Sequence, residues 1–230
     1  MFHVPVVKHG INGHLRQKGK VAVLALGYQG GANALITMGA LEQGLTEEEL
    51  PDIVQKWRQA SPHIVQMWTD CEQAAKKAVA NHTSVSYKHG IRFIYESGIL
   101  FIQLPGGRRL SYPKPKLQEN RFGNGKALTF EGTGVSKAAV SYWVRQETYG
   151  GKLVENIVQA TARDCLAYAM LRLPDKYRPV FHVHDEIVAE CNLGTGSVEE
   201  MVDCMRRVPP WAKGLILNAD GYEAAYYKKD

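Results

Sequence analysis

The stretch FHVHDEIVAE, residues 181–190, places two histidines and two acids between apolar runs. The runs at 180–183 and 187–189 predict two strands joined by a tight polar turn. At such a turn the carboxylates of Asp185 and Glu186 lie at the exposed tip. On one straight strand the same two side chains would instead point to opposite faces.

Three interpretations of this hairpin stay open on local grounds. It is a polar turn without chemistry, a zinc site on His182 and His184, or half of a carboxylate site for divalent cations. Asp185 and Glu186 alone do not make a two-metal site, because two ions about 3.5–4 Å apart need carboxylates from different strands. A zinc site needs a third ligand, and none is evident beside the two histidines.

The composition is that of a globular protein with a sizeable core. The chain has 230 residues, of which 45% are hydrophobic and 22% charged. The net charge of +5 suits a polyanionic partner without requiring one. No apolar run approaches the ~20 residues of a membrane span, so no membrane association is expected. The four cysteines lack C-x-x-C spacing, which argues against a zinc ribbon or a redox pair.

Positive charge is concentrated between residues 106 and 126, a segment we call the basic strip. It holds six basic residues against one acid, Glu119. The six are Arg108, Arg109, Lys114, Lys116, Arg121 and Lys126. The strip is either a solvated loop or a surface that contacts phosphates.

A first helix is predicted from His14 to Tyr28, with Asn12 as its cap. It is apolar almost all round after Lys20, so we expect it to be largely buried. Four residues spaced by four lie within an arc of about 120° and form what we call the α1 row: Arg16, Lys20, Leu24 and Tyr28. Buried cations would need an anion such as a triphosphate. Alternatively, both cations lie at the exposed start of the helix.

The remaining pattern is helical first and mixed afterwards. Helices are expected from the Thr46–Glu49 capping box to Ala60, from Pro62 onward, over 153–173 and over 197–207. Strands are expected over 91–95 and 98–104, in a hairpin at 127–146, and over 215–227. This order predicts an α+β fold in which a helical subdomain lies over a sheet subdomain. On the 153–173 helix, Glu155, Gln159 and Arg163 form a polar stripe. It is either the solvent face or the lining of a nucleic-acid groove.

Three of these stretches resemble motifs of family A DNA polymerases, in the family's order. The α1 row resembles the fingers motif, VENIVQATARD (154–164) an intervening palm helix, and VHDE (183–186) the palm motif with a catalytic aspartate. HGINGHLRQKGKVAVLALGY (9–28), GIRFIYESGILFIQLPGGRRLSY (90–112) and the terminal YYKKD are similar to the phage and prophage branch. The resemblance covers residues 2–230.

The resemblance implies a fold and an activity. Residues 1–115 would be a helical fingers subdomain, and residues 116–230 the C-terminal part of a palm built from antiparallel sheet and helix. The activity would be nucleotidyl transfer from a dNTP to a primer 3′-hydroxyl on primer–template DNA, with two Mg²⁺ ions, in the cytoplasm of a bacterial host cell infected by a phage or carrying a prophage.

The resemblance also assigns roles to single residues. Arg16 and Lys20 would bind the triphosphate, with Lys20 also catalytic, and Tyr28 would lie by the nascent base pair. Leu24 stands where many members carry an aromatic that bears on sugar discrimination. Asp185 would ligate Mg²⁺.

Further roles concern the palm. Glu186 would support Asp185 in catalysis, and His184 would touch the primer terminus. Gln159 and Arg163 would contact template or primer. His182 falls where other members often have glutamine.

One expected element of the family is missing. Its second catalytic aspartate comes from a D-x-S-x-x-E motif ahead of the fingers, and no acid precedes His14. The resemblance therefore implies a palm that is incomplete on its N-terminal side and a chain inactive alone. It would associate with an N-terminal polymerase fragment or with itself. The alternatives are a non-catalytic DNA-binding remnant and an unrelated metal hydrolase built on His182, His184 and Asp185.

Overall fold

The computed structural model of the chain describes residues 4–7, 10–120, 123, 125–135 and 141–227. The helices are α1 (Gly13–Gly27), α2 (Ala32–Thr37), α3 (Leu50–Ala60), α4 (Pro62–Asn81), α5 (Gly150–Met170) and α6 (Val198–Arg206). The strands are β1 (Ser84–Ser86), β2 (Arg92–Glu96), β3 (Ile99–Gln103), β4 (Arg109–Pro113), β5 (Lys116–Glu119), β6 (Lys126–Val135), β7 (Ser141–Thr148), β8 (Arg178–Val183) and β9 (Glu186–Glu190).

These elements confirm the expected mixture of helices and antiparallel sheets. The strands form three sheets with the orders β1-β2-β3-β4, β5-β6-β7 and β8-β9. The chain divides into two compact units. Unit one comprises Met1–Tyr87, Arg92–Ile102 and Leu110–Ile157; unit two comprises Lys88–Ile91, Gln103–Arg109 and Val158–Asp230. Within the described residues, no helix is long and apolar enough to cross a lipid bilayer.

Helix α1 lies within one residue of its predicted bounds, and the expectation that it is largely buried holds for one side only. One side packs into a core with α2 and α3, through residues that include Ala22, Ala25 and Leu26. On the other side Val23 is 57% exposed. Helices α2 and α3 pack against one side of α1, so apolar residues on its other side, such as Val23, lie in solvent.

Two predicted helix starts differ in detail. Asn12 precedes α1 as expected, but its side chain does not cap the helix and donates to the Pro5 carbonyl instead. At Thr46, the backbone N–H donates to the Glu49 carboxylate at 2.8 Å, which is one half of a capping box. Helix α3 itself begins only at Leu50, after this turn.

Helix α4 forms the core of unit one together with the first sheet. It begins at Pro62 as predicted, and Trp68 is buried and stacked on Trp57 with ring centroids 6.0 Å apart. Burial raises the pKa of the Cys71 thiol to about 12, so this thiol is inert at neutral pH. Strands β2 and β3 are joined by the two-residue turn Ser97–Gly98, with both φ angles positive.

The predicted hairpin at 127–146 is the pair β6–β7, whose register runs from Leu128↔Thr148 to Val135↔Ser141. Its tip, 136–140, lies outside the described residues. Glu131 fixes the sheet by accepting bonds from Lys114 at 2.8 Å, Trp143 at 3.1 Å and Arg145 at 3.0 Å. The bonds from Lys114 and then Trp143 lower the pKa of the Glu131 carboxyl.

Unit two contains the β8–β9 hairpin and α6. Ser197 caps α6 by accepting from the Glu200 N–H, at the start of the helix predicted over 197–207. The expectation of a strand over 215–227 is wrong, because this segment contains no strand. Its backbone is held by a side chain instead: the Arg206 guanidinium donates to Asn218 Oδ1 at 2.8 Å and to the Ala219 carbonyl at 3.2 Å.

The start of α6 is tied to the residues before β8 through Glu200. Its carboxylate accepts from the Tyr177 hydroxyl at 2.5 Å and pairs with the Lys176 ammonium at 2.6 Å. The Lys176 bond first, and the Tyr177 bond second, lower the pKa of Glu200 below its ordinary value of 4.5. The stabilisation that the ionised Glu200 carboxylate gives the folded state is therefore present above the pKa of Glu200 in the unfolded chain. It is lost as the pH falls through the pKa of Glu200 in the folded protein.

We predict that Glu200→Gln makes the free energy of unfolding less dependent on pH below about 4.5, since the lowered pKa is then absent. The measurement is urea unfolding as a function of pH. The control is Glu199→Gln, an exposed neighbour on the same helical turn. Equal acid sensitivity in wild type and Glu200→Gln would contradict the prediction.

Candidate functional site

The α1 row lies on the exposed side of its helix. Arg16 and Lys20 are exposed, and Leu24 and Tyr28 are 39% and 38% exposed. Neither cation makes an ion pair with a described residue. Exposure agrees with the alternative in which both cations reach solvent, and it leaves the row open to a ligand.

The charge along α1 is unbalanced. The helix carries Arg16, Lys18 and Lys20 in its first eight residues and no acid anywhere, including the first turn. Cations near a helix N-terminus lie at the positive end of the macrodipole, which is unfavourable. The first half of α1 is therefore a region of positive potential that an anion would stabilise.

The end of α1 is fixed by polar contacts within unit one. Gln29 follows Tyr28 at φ 64, and its side-chain oxygen accepts from the Gly151 N–H at 2.8 Å. The Arg58 guanidinium donates to the Gly30 carbonyl at 3.1 Å. Sequence reasoning missed these residues; the Gly150-Gly151 pair beside a helix start was the signal that could have found them.

The polar stripe on α5 is exposed at two of its three residues, in accord with the solvent-face interpretation, whereas Glu155 is half-buried. Gln159 and Arg163 are exposed, and Val158 beside them is 54% exposed. In unit two the Arg163 guanidinium lies 3.3 Å from His182 Nε2 on β8. The structure thus brings together Arg163 and the start of the histidine-rich hairpin.

The basic strip is largely β-structure rather than a loop, and part of its charge is used internally. Arg108 donates to Asp164 at 2.7 Å and to the Ala160 carbonyl at 2.8 Å. Lys114 pairs with Glu131. Lys116 and Lys126 are exposed on strands, whereas Arg121 lies outside the described residues. The strip is therefore not a uniform phosphate-contacting surface.

The hairpin β8–β9 has the predicted strand–turn–strand form. Its register pairs Val183 with Glu186, so His184 and Asp185 form a two-residue turn, with His184 at φ 50. Asp185 is exposed at the tip. Short polar or flexible residues are preferred at such turns, and this turn keeps the imidazole and the carboxylate in solvent.

Tyr227 contacts this hairpin, which sequence reasoning did not predict. Its ring packs edge-on against Phe181 with centroids 5.0 Å apart. Its hydroxyl donates to the Glu186 carboxylate at 3.4 Å, a long hydrogen bond. The aromatic pair Tyr226–Tyr227 in the terminal segment YYKKD was the sequence feature that could have indicated this contact.

The donor set at the turn fits Mg²⁺ better than Zn²⁺. Mg²⁺ is held by oxygen ligands, with one or two carboxylates plus substrate phosphates, and Asp185 and Glu186 supply such carboxylates. Over the described part of the chain, no group of three His, Cys, Asp or Glu side chains comes together to hold a metal. His182 Nε2 lies against Arg163, a cation that competes with a metal at that nitrogen.

An open cleft of about 640 Å³ lies in unit one, between α3 and α4. Its lining combines Val54, Arg58 and Val65 with glutamine side chains. No residue of the α1 row is among its lining residues, so this cleft is separate from the row.

We predict that His184→Gly leaves the free energy of unfolding unchanged or raises it by up to about 1 kcal/mol. Glycine adopts φ 50 without the steric cost that histidine has there, which offsets its larger backbone entropy in the unfolded state. Urea unfolding measures the effect. A clear loss of stability would mean that the imidazole makes a stabilising contact in the folded protein.

Comparison with known proteins identifies one similar polymerase. The chain is 55% identical, over 232 aligned positions, to a DNA polymerase of Bacillus phage SP02. The alignment covers 100% of this chain and 35% of that polymerase, so the chain spans about a third of the relative's length. No family model matches the chain, and no solved structure matches it. Residues 1–230 as a whole are therefore similar to part of a phage DNA polymerase.

Proposed function

We propose that this chain is the nucleotide- and primer-binding part of a DNA-directed DNA polymerase of the family A type. The observation that carries the proposal is the 55% identity to the SP02 polymerase, which extends over the whole chain. The reaction is transfer of a nucleotide from a dNTP to a primer 3′-hydroxyl, in the cytoplasm of a bacterial host. Residues 1–115 act as fingers and 116–230 as part of the palm.

The α1 row binds the incoming nucleotide. Arg16 and Lys20 are exposed on one face and have no acid on their own helix. Guanidinium and ammonium groups form charge-assisted hydrogen bonds with phosphate oxygens, which is why we assign them the triphosphate. Lys20 also stabilises charge that develops on the leaving phosphates. Leu24 and Tyr28 offer apolar and aromatic surface to the sugar and base.

The β8–β9 turn holds the reacting end of the primer. Asp185 would hold Mg²⁺, with Glu186 in support, and the ion would supply electrostatic stabilisation of the charge that develops during nucleotidyl transfer. Tyr227 orients the Glu186 carboxylate through its hydroxyl. His184 at the turn contacts the primer terminus. Gln159 and Arg163 are exposed on α5 and contact primer or template.

The palm is completed by another polypeptide segment, which we propose is an N-terminal polymerase fragment that brings the second catalytic carboxylate. A two-stranded sheet is marginal by itself, and β8–β9 is such a sheet among the described strands. Val180 is 52% exposed on it, and Ile216 is 92% exposed in the same unit. Apolar side chains near an unpaired strand edge favour association. Self-association is the other way to cover them.

We predict that primer extension requires Asp185. The assay uses primed template, Mg²⁺ and four dNTPs, with the chain alone and with the part of the SP02 polymerase that the alignment does not cover added. Asp185→Asn keeps the shape of the side chain but removes the charge that holds the cation. We therefore expect extension to fall by about 10³-fold or more. Asp175→Asn, an exposed aspartate elsewhere in unit two, is the control.

Extension only with the added region would support the proposal and the need for a completing segment. Extension by the chain alone that needs Asp185 would support the activity and assign the second carboxylate to this chain or a second copy. Salt-dependent DNA binding unaffected by Asp185→Asn, without extension in either mixture, would favour the non-catalytic DNA-binding remnant.

We predict that Lys20→Ala weakens dNTP binding about tenfold, the loss expected for one charge-assisted hydrogen bond of about 1.4 kcal/mol. Lys18→Ala is the matched control, since Lys18 carries the same charge on the same helix but lies about 200° around the axis from Lys20. Equilibrium dialysis with a labelled dNTP measures both. Equal losses for the two variants would mean that general positive charge, rather than the α1 row, binds the nucleotide.

A further inference from the structure

The backbone next to Tyr28 has an unusual conformation. Gln29 lies at φ 64, in the left-handed region that glycine enters freely and other residues enter at a cost. Its N–H donates to the Leu26 carbonyl at 3.0 Å and so closes the end of α1. A glycine would make this turn more easily, so a glutamine here suggests that its side chain has a use.

That side chain reaches the beginning of another helix. Gln29 Oε1 accepts from the Gly151 N–H at 2.8 Å, and Gly151 is the second residue of α5. The first N–H groups of a helix have no partner within the helix. The N–H of Gly150 is bound in the same way by the Glu72 carboxylate of α4, at 2.9 Å. Two side chains from distant parts of the chain thus cap α5.

The two glycines allow the helices to touch backbone to backbone. A Cβ atom at Gly151 would lie 2.4 Å from the Tyr28 carbonyl oxygen and 2.5 Å from the Gln29 Cβ. A Cβ atom at Gly150 would lie 2.2 Å from the Trp68 carbonyl oxygen. Any other residue would push α5 away from Tyr28 and break the Gln29 bond. All of these residues belong to unit one.

We infer that Gln29 is a positioning residue for nucleotide binding: by bonding to Gly151 it fixes the backbone of Tyr28, and with it the end of the α1 row. This inference rests on the proposed function, because it assigns the row to the incoming nucleotide. Tyr28 is 38% exposed, and its carbonyl lies against Gly151, so the position of its side chain depends on that backbone. Gln29 acts through that backbone.

The decisive variant is Gln29→Gly, which suits φ 64 better than glutamine and removes only the side chain. We expect its thermal unfolding midpoint to change little, because the ease of glycine at φ 64 offsets the lost bond to the Gly151 N–H. Its affinity for the dNTP complementary to a dideoxy-terminated primer–template should fall about tenfold. If Gln29 had a purely structural role, its replacement would lower both the unfolding midpoint and the dNTP affinity, or neither. The matched control is Ser97→Gly, at φ 50 in the β2–β3 turn, which should change only stability.

Amide hydrogen exchange provides a second readout that does not depend on nucleotide. The Gly151 N–H should be protected in the wild type, exchange faster in Gln29→Gly, and stay protected in Gln29→Glu, because the carboxylate keeps an acceptor at the helix N-terminus. Unchanged exchange at Gly151 in Gln29→Gly would overturn the inference. So would faster exchange together with wild-type dNTP affinity.

Failure of the proposed function gives a different result. If wild type and Lys20→Ala bind the dNTP equally poorly, the assignment of the α1 row to a nucleotide is wrong, and the nucleotide-positioning role of Gln29 is wrong with it. If Lys20→Ala loses affinity and Gln29→Gly does not, only the inference about Gln29 fails.

Discussion

The close approach of three helices at Gly150 and Gly151 is the constraint on which unit one depends. There α5 begins against the carbonyl oxygens of Trp68 on α4 and of Tyr28 at the end of α1. Such an approach is open only to glycine, and it lets side chains of both neighbours satisfy the first N–H groups of α5. The first N–H groups of α5, which would otherwise need water as an acceptor, are thereby buried and hydrogen-bonded.

This junction explains how an exposed row can have a defined position. One side of α1 packs into the core through Ala22, Ala25 and Leu26, which fixes the rotation of the helix about its axis. The contacts of Gln29 and of the Gly30 carbonyl fix its end along the axis. Arg16, Lys20, Leu24 and Tyr28 therefore share a stable frame although their own side chains lie in solvent, as a preorganised binding face requires.

The sequence predicted local elements well and non-local ones poorly. The hairpin at 180–190 was predictable because two apolar runs flank a polar turn of two residues. The capping of α5 was not, since its partners lie 78 and 122 residues away along the chain. The segment 215–227 has β-prone residues, but a strand exists only where another backbone pairs with it, and none of the described strands does. The exposure of Val23 likewise depends on which side of α1 its neighbours cover.

The charges of the chain argue for the same assignment of the site. Arg108, Lys114 and Arg145 are paired with carboxylates and hold structure together. Lys116 and Lys126 are exposed on strands and form no ion pair with another described residue, which costs little on a surface. The α1 row differs from both groups, because its two cations are aligned on one face of a helix whose first half carries only positive charge. Alignment of like charges raises the local potential, which is why we propose an anionic ligand, the triphosphate of a nucleotide, for this row.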